Sequence, residues 1–289
     1  MNAVSEFRTP PQARCTDPGG WQAELRLRYQ RRGGRTVLAR HAHRGPLRVQ
    51  RSLYPEGDAV CHTILVHPPA GIAGGDELRV DLALEAGAHV LVTTPGAGKW
   101  YRSAGPRGRL EQRIDVAAGG VCEFLPQESI VYDGARGELL TEVRLRGDAC
   151  FIGSEMLCFG RTASGERFGH GELALCTRIE RDGRPLWLER GGVVGGGALL
   201  QASVGLQGQP VSASFVVASP HCDAGLLAAW RDIAPVAGEG GVTLLPGLLV
   251  ARWLGPACEP GRAWFARLWA SARPAVGGRA AQTPRIWNT

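Results

Sequence analysis

Along residues 77–85 the chain alternates. Leu78, Val80, Leu82 and Leu84 point one way, and Glu77, Arg79, Asp81 and Glu85 the other. A period of two marks a strand with one face in a core and the other in water. The pattern recurs. Trp21, Ala23, Leu25, Leu27 and Tyr29 alternate with mostly charged or polar residues. Leu139, Thr141, Val143 and Leu145 share one face, and Leu173, Leu175, Thr177 and Ile179 share another. Gly33-Gly34 turns the first of these strands back onto residues 36–39, and Asp182-Gly183 turns another onto residues 185–188, both hairpin signals. Glycine supplies 41 of the 289 residues without any repeat, as a chain of many tight turns requires. The sequence therefore predicts a mostly β protein of layered antiparallel or mixed sheets, with stacked antiparallel sheets as the default.

Helical spacing appears only in the C-terminal half. Asp223 is placed to cap a helix carrying Leu226, Leu227, Trp230 and Ile233, ended by Pro235. A second helix is predicted from near Pro260, with Trp264, Phe265, Leu268, Trp269 and Ala272 on one face and Pro274 as its stop. Burial of each such side chain contributes about 1.5–3 kcal/mol, so both helices are expected to pack on the sheets. A partner-facing role for their tryptophans is the weaker alternative. Residues 1–19 read as a loose polar tail and 20–289 as one domain.

The net charge of +6 admits nucleic acid, anionic lipid or an acidic protein as partner. Nine arginines between Arg26 and Arg51 concentrate that charge. No recognition signature accompanies them, so a solvated strand face and an acidic protein partner are preferred to nucleic acid. The eight cysteines form no CxxC and no zinc-finger spacing. Cys122, Cys150 and Cys158 lie in apolar runs, as core residues do. With no secretory signal and no long apolar run, the expectation is a reduced, cytoplasmic protein that does not span a membrane.

Familiar catalytic devices are missing. Gly96-Ala97-Gly98-Lys99 lacks the upstream glycine and the following Ser or Thr of a phosphate loop. His41 and His43 share a strand face but read as surface residues. The informative side chains are carboxylates in apolar surroundings: Asp76, Glu128, Asp133, Glu155 and Glu189. A charge there costs several kcal/mol unless it is paired or hydrated. Two readings stay open for each. Asp76 could satisfy the amides of its own turn and Glu189 could pair with an arginine, or some of the group could line a hydrated internal passage.

Six blocks occur in order: HPPAGIAGGD at 67–76, TTPGAGKWYRS at 93–103, EFLPQESI at 123–130 followed by Asp133-Gly134-Ala135, FIGSEMLCFGR at 151–161 with Ser164-Gly165-Glu166, Leu188-Glu189-Arg190, and Pro284-Arg285-Ile286-Trp287. This resembles the UreD (UreH) family of urease accessory proteins over residues 20 to 289. Two departures stand out: Ala70 replaces a usual glycine, and Gly98 stands where many members carry a small hydroxyl residue. The resemblance implies a mostly β fold of layered sheets with two helices. It also implies a non-catalytic scaffold that binds apo-urease, joins UreF and the GTPase UreG, and passes nickel through a water-filled tunnel. No permanent cofactor is implied, only transient Ni2+. The family's tunnel acids match Asp76 and Glu189, with Glu155 a weaker match. Carboxylates with retained water suit such a route, because imidazole and thiolate would trap the ion. Two rivals remain: a β-sandwich hydrolase using Asp76, Glu189 and Glu155 as acid and base, and a basic nucleic-acid-binding β module.

Overall fold

The computed structural model describes residues 20–288; the tail expected at 1–19 lies outside them. Strands β1 (Gln22–Arg32) and β2 (Arg35–Arg44) form the first hairpin. Strands β3 (Arg48–Val49) and β4 (Val60–Val66) start a second sheet, and β5 (Glu77–Leu84) returns to the first. Next come β6 (His89–Thr93) and the short β7 (Gly98–Trp100) in the second sheet, then β8 (Gly108–Val116) in the first. The second sheet gains β9 (Val121–Phe124) and β10 (Ser129–Val131), the first gains β11 (Arg136–Leu145), and β12 (Cys150–Phe159) crosses back to the second. The hairpin β13 (Glu172–Arg181) and β14 (Arg184–Val194) completes the first sheet. After a short α1 (Ala198–Gln201), β15 (Val211–Ala218), β16 (Glu239–Leu245) and β17 (Leu248–Gly255) complete the second. Helix α2 (Ala224–Arg231) lies between β15 and β16 in sequence, and α3 (Cys258–Gly277) follows β17.

Mostly β with helices in the C-terminal half is the observed class, but the default of stacked antiparallel sheets is corrected. In the first sheet, β1, β5, β8, β11 and β13 run parallel. In the second, β4, β6, β9 and β12 do so. The turns explain why. Instead of folding a strand onto its predecessor, they carry the chain across to the other sheet and stack on one another. The Ala117 amide donates to Leu84 O at 2.9 Å, Val121 to Ala88 O at 2.9 Å, Arg146 to Val116 O at 3.0 Å and Cys150 to Gly120 O at 2.9 Å. Alternation specifies which face is buried, not which strand is the neighbour.

Three layers result. One core fills the space between the sheets, with Leu25, Leu82, Val143, Phe151 and Phe159. A second lies between the second sheet and the helices, with Ile152, Phe215, Trp230, Trp264 and Trp269. The helix tryptophans are thus core residues: Trp230 is fully buried, and Trp264 and Trp269 nearly so. Asp223 caps α2 through the Leu226 amide at 2.8 Å, as expected. Pro274, in contrast, does not stop α3, which continues to a left-handed cap at Gly278. Proline removes one helical hydrogen bond, but the buried Arg273 and Val276 hold the last turn against the protein.

The outer face of the first sheet carries charge in matched pairs. Arg26 meets Glu24 and Asp81, Arg79 meets Asp81, Arg113 meets Glu111, and Arg144 meets Glu142. Part of the arginine-rich N-terminal quarter is therefore a solvated, locally neutralised strand face.

Candidate functional site

The site is built by register. Across the first sheet, Leu25, Val80, Gln112, Thr141, Thr177 and Glu189 stand side by side. All project inward, so the row begins apolar and becomes polar toward β14. Thr141 donates to Gln112 Oε1 at 2.9 Å. Across the second sheet the matching row is Glu155, Ser214 and Arg252. Between the rows lies a cavity of about 520 Å³ lined by Gln112, Thr141, Thr177, Glu189, Glu155 and Ser214, with aliphatic and aromatic walls that include Trp100, Phe124 and Trp187.

The two cavity carboxylates differ. Glu189 pairs with Arg252 at 2.7 Å, not with its sequence neighbour Arg190. Glu155 has no hydrogen-bond or ion-pair partner among the described residues. Burial, reinforced by the nearby charge of Glu189 and only partly offset by Arg252, raises its carboxyl to a pKa of about 7. A half-buried carboxyl facing an internal space without a donor invites water, a proton or a cation.

Asp76 is placed elsewhere. Its Oδ1 accepts from the Trp21 amide at 2.9 Å and its Oδ2 from the Ala73 amide at 2.8 Å. It does not line the cavity, although its charge reaches His67, which does. Asp76 closes the glycine corner. That corner in turn docks on the second motif: the Ile72 amide donates to Lys99 O at 2.7 Å and the Tyr101 amide to Ile72 O at 2.8 Å. Gly71 lies against Lys99 and the Tyr101 ring, where a side chain would not fit.

Both departures noted in the sequence have local consequences. Ala70 has a φ of 62°, the left-handed region that costs most L-residues about 1–2 kcal/mol. Restoring glycine with Ala70→Gly is expected to stabilise the protein by about 0.5–1 kcal/mol, after offsetting glycine's greater unfolded entropy. A urea titration reads this, and a lower midpoint would show that the corner does not strain the alanine. A β-carbon on Gly98 would sit 3.5 Å from Ser129 Oγ, so the wall accepts a small hydroxyl side chain there.

The second sheet has a gap beside the cavity. Strand β9 ends with Phe124 opposite Gly153, and β10 begins with Ser129 opposite Leu157. Residues 125–128 between them belong to no strand, leaving Ser154, Glu155 and Met156 without a strand partner on that side. Under α3 lies a second pocket of about 280 Å³ lined by Glu128, Arg262 and Trp287. Pro126, Gln127, Ser154 and Met156 border both spaces, so the gap is where they adjoin. Glu128 sits here, 3.2 Å from Arg262. Asp133 is instead tied to the amides of Gly169 and His170 at 2.9 and 2.7 Å.

Sequence reasoning missed a buried ion network. Arg273, fully buried, contacts Glu56 at 2.6 and 2.8 Å and Glu123 at 3.0 and 3.1 Å. His62 Nε2 lies 2.6 Å from Glu56, and His89 Nε2 lies 2.7 Å from Glu123. Desolvation pushes Glu56 up, but His62 and Arg273 outweigh it and hold the carboxyl at about 2. Glu123 is likewise held below its ordinary value, burial opposing and His89 and Arg273 prevailing. The network pins α3 to the sheets. Arg252 was missed as well, since nothing in the sequence links it to Glu189. Thr141 and Thr177, which interrupt aliphatic faces, were the available signal for the polar row. Among the described residues no group of three or more His, Cys, Asp or Glu could hold a metal ion, and no helix is long and apolar enough to cross a membrane.

The UreD urease accessory protein family model matches residues 22–288. The chain is 65% identical to the urease accessory protein UreD of Azoarcus sp. (strain BH72) over the full length of both. It is 49% identical to that of Dechloromonas aromatica (strain RCB), covering 93% of this chain and 95% of the relative. It is also 49% identical to that of Pseudomonas aeruginosa (strain UCBPP-PA14), with the same coverage. With five of its six motif blocks contributing to the wall of one cavity and its whole length matched, the chain belongs to the UreD family of urease accessory proteins.

Proposed function

We propose that this protein is a non-catalytic scaffold in urease maturation that binds apo-urease, joins it to UreF and through UreF to UreG, and conveys nickel toward the urease active site. It would work in the cytoplasm without a permanent cofactor, with Ni2+ as transient cargo. The observation that carries the nickel role is Glu155: a carboxyl without a partner, facing an internal cavity across from Glu189. Two carboxylates in a space large enough for water bind a divalent ion weakly enough to release it. Both rows are set on strands, which hold the side chains in place. The gap between β9 and β10 offers the route from this cavity to the pocket beneath α3. Asp76 enters the proposal through the corner it closes at the other end of the cavity wall.

Glu155→Gln plus Glu189→Gln is expected to lower the nickel content of co-expressed urease by roughly tenfold or more, the scale of losing charged metal contacts, while urease still co-purifies with the variant. Normal nickel content with intact co-purification would refute the passage. The hydrolase reading would use the same two carboxylates, but Asp76 is apart from them, and the relatives are urease accessory proteins. The charge-balanced face of the first sheet offers nucleic acid little net attraction.

A further inference from the structure

We propose that Arg252 gates the inter-sheet cavity: it is a tethered cation that occupies Glu189 until a divalent ion displaces it. This rests on reading the cavity as a cation passage and assigns the element that controls entry.

Both sheets end on the same side of the cavity, the first at β14 and the second at β16–β17. There the Arg252–Glu189 pair spans the layers at 2.7 Å. Arg252 is not part of the cavity wall, yet its charge is felt by Glu155. Its guanidinium also lies 5.5 Å from the ring centroid of Trp187, which does form the wall. The pair therefore closes the open edge of the sandwich at the level of both carboxylates.

Its exposure shows that it can open. The Arg252 side chain is 47% exposed and that of Glu189 36%, the regime in which an ion pair is weak and readily exchanged with water. Arg273 is the contrast: fully buried, and bonded to two carboxylates and a carbonyl. One arginine is locked in the structure; the other can leave Glu189 and remain over Trp187 in solvent.

The exchange is balanced. With Arg252 in place, Glu189 is neutralised and Glu155 carries a proton or stands alone. A divalent ion held by both carboxylates neutralises both, sends the guanidinium to water and releases the Glu155 proton if one is present. A monovalent cation balances one carboxylate only, so it cannot take the place of Arg252 on Glu189 and hold an ionised Glu155 at the same time.

Mn2+ is a suitable probe, its free concentration read by electron paramagnetic resonance with the purified full chain at pH 8. Arg252→Gln removes a competing positive charge and is expected to bind Mn2+ about tenfold more tightly than wild type. Arg252→Lys keeps the charge and is expected to stay near wild type. Adding Glu189→Gln to Arg252→Gln is expected to abolish the gain. If Arg252→Gln binds no more tightly than wild type while Glu155→Gln still weakens binding, the gate is refuted and the passage survives. If no variant and no wild type binds Mn2+, the passage is refuted and the gate with it.

Discussion

Replacing Arg273 with methionine is expected to destabilise the protein by about 3–5 kcal/mol, the cost of removing one partner from a buried ion pair. The side chain is fully buried and meets both Glu56 and Glu123. Methionine fills part of the volume but donates nothing. Glu56 would keep His62, and Glu123 would keep His89 and the Trp269 indole. Each imidazole meets one carboxylate only, whereas the guanidinium bridges both. Urea unfolding is the measurement, and a loss below about 1 kcal/mol would show that the network does not fasten α3. Adding Glu56→Gln and Glu123→Gln should recover part of the loss, because the penalty arises from carboxylates left uncompensated.

Acid should expose the same network. Glu56 is near 2 in the folded protein and near 4.5 in the unfolded chain. The unfolded state therefore binds protons first as pH falls. The stability this provides is complete above about 4.5 and disappears as pH drops through about 2. In Arg273→Met, Glu56 loses the partner that helps depress it. Acid unfolding should then begin at higher pH than in wild type, read by circular dichroism across a pH titration.

How far the sequence was legible depends on the distance over which each feature is decided. The faces of β5, β11 and β13 were readable because period-two burial is a local property, and the hairpin at Asp182-Gly183 because turn chemistry is local. Strand partnership was not readable, because crossing between sheets and folding back within one leave the same alternating pattern. The prominence of a motif did not tell which of the two readings of a carboxylate applies. Asp76 ends the most recognisable block, yet its oxygens hold backbone amides, whereas the less conspicuous Glu155 has no partner. Arg273 and Glu123 lie 150 residues apart, and Arg273 precedes a proline that suggested a helix end. Only the fold brings such pairs together.

Glu155→Gln should make the protein more stable above neutral pH, by about 1–3 kcal/mol. The sign is opposite to that for Glu56. Burial and the charge of Glu189 raise Glu155 to about 7 from 4.5. Between those values the folded protein holds a proton that the unfolded chain has released. Stability is greatest below about 4.5 and falls as pH rises through about 7. Glutamine has nearly the same shape, carries no charge and removes the penalty. A residue kept for architecture would behave the other way, and its loss would weaken the fold. Cation affinity should respond in concert. A proton and a divalent ion compete for Glu155, so Mn2+ binding should tighten about tenfold per pH unit below 7 and level off above it. In Glu155→Gln that slope should vanish while the urea midpoint at pH 8 rises. Destabilisation at pH 8, or an unchanged slope, would overturn the assignment of Glu155 as the carboxyl that meets the ion. A stabilised variant that no longer delivers nickel would place the cost of this unpaired carboxylate in its function, the trade-off expected where a site must remain open to a passing charge.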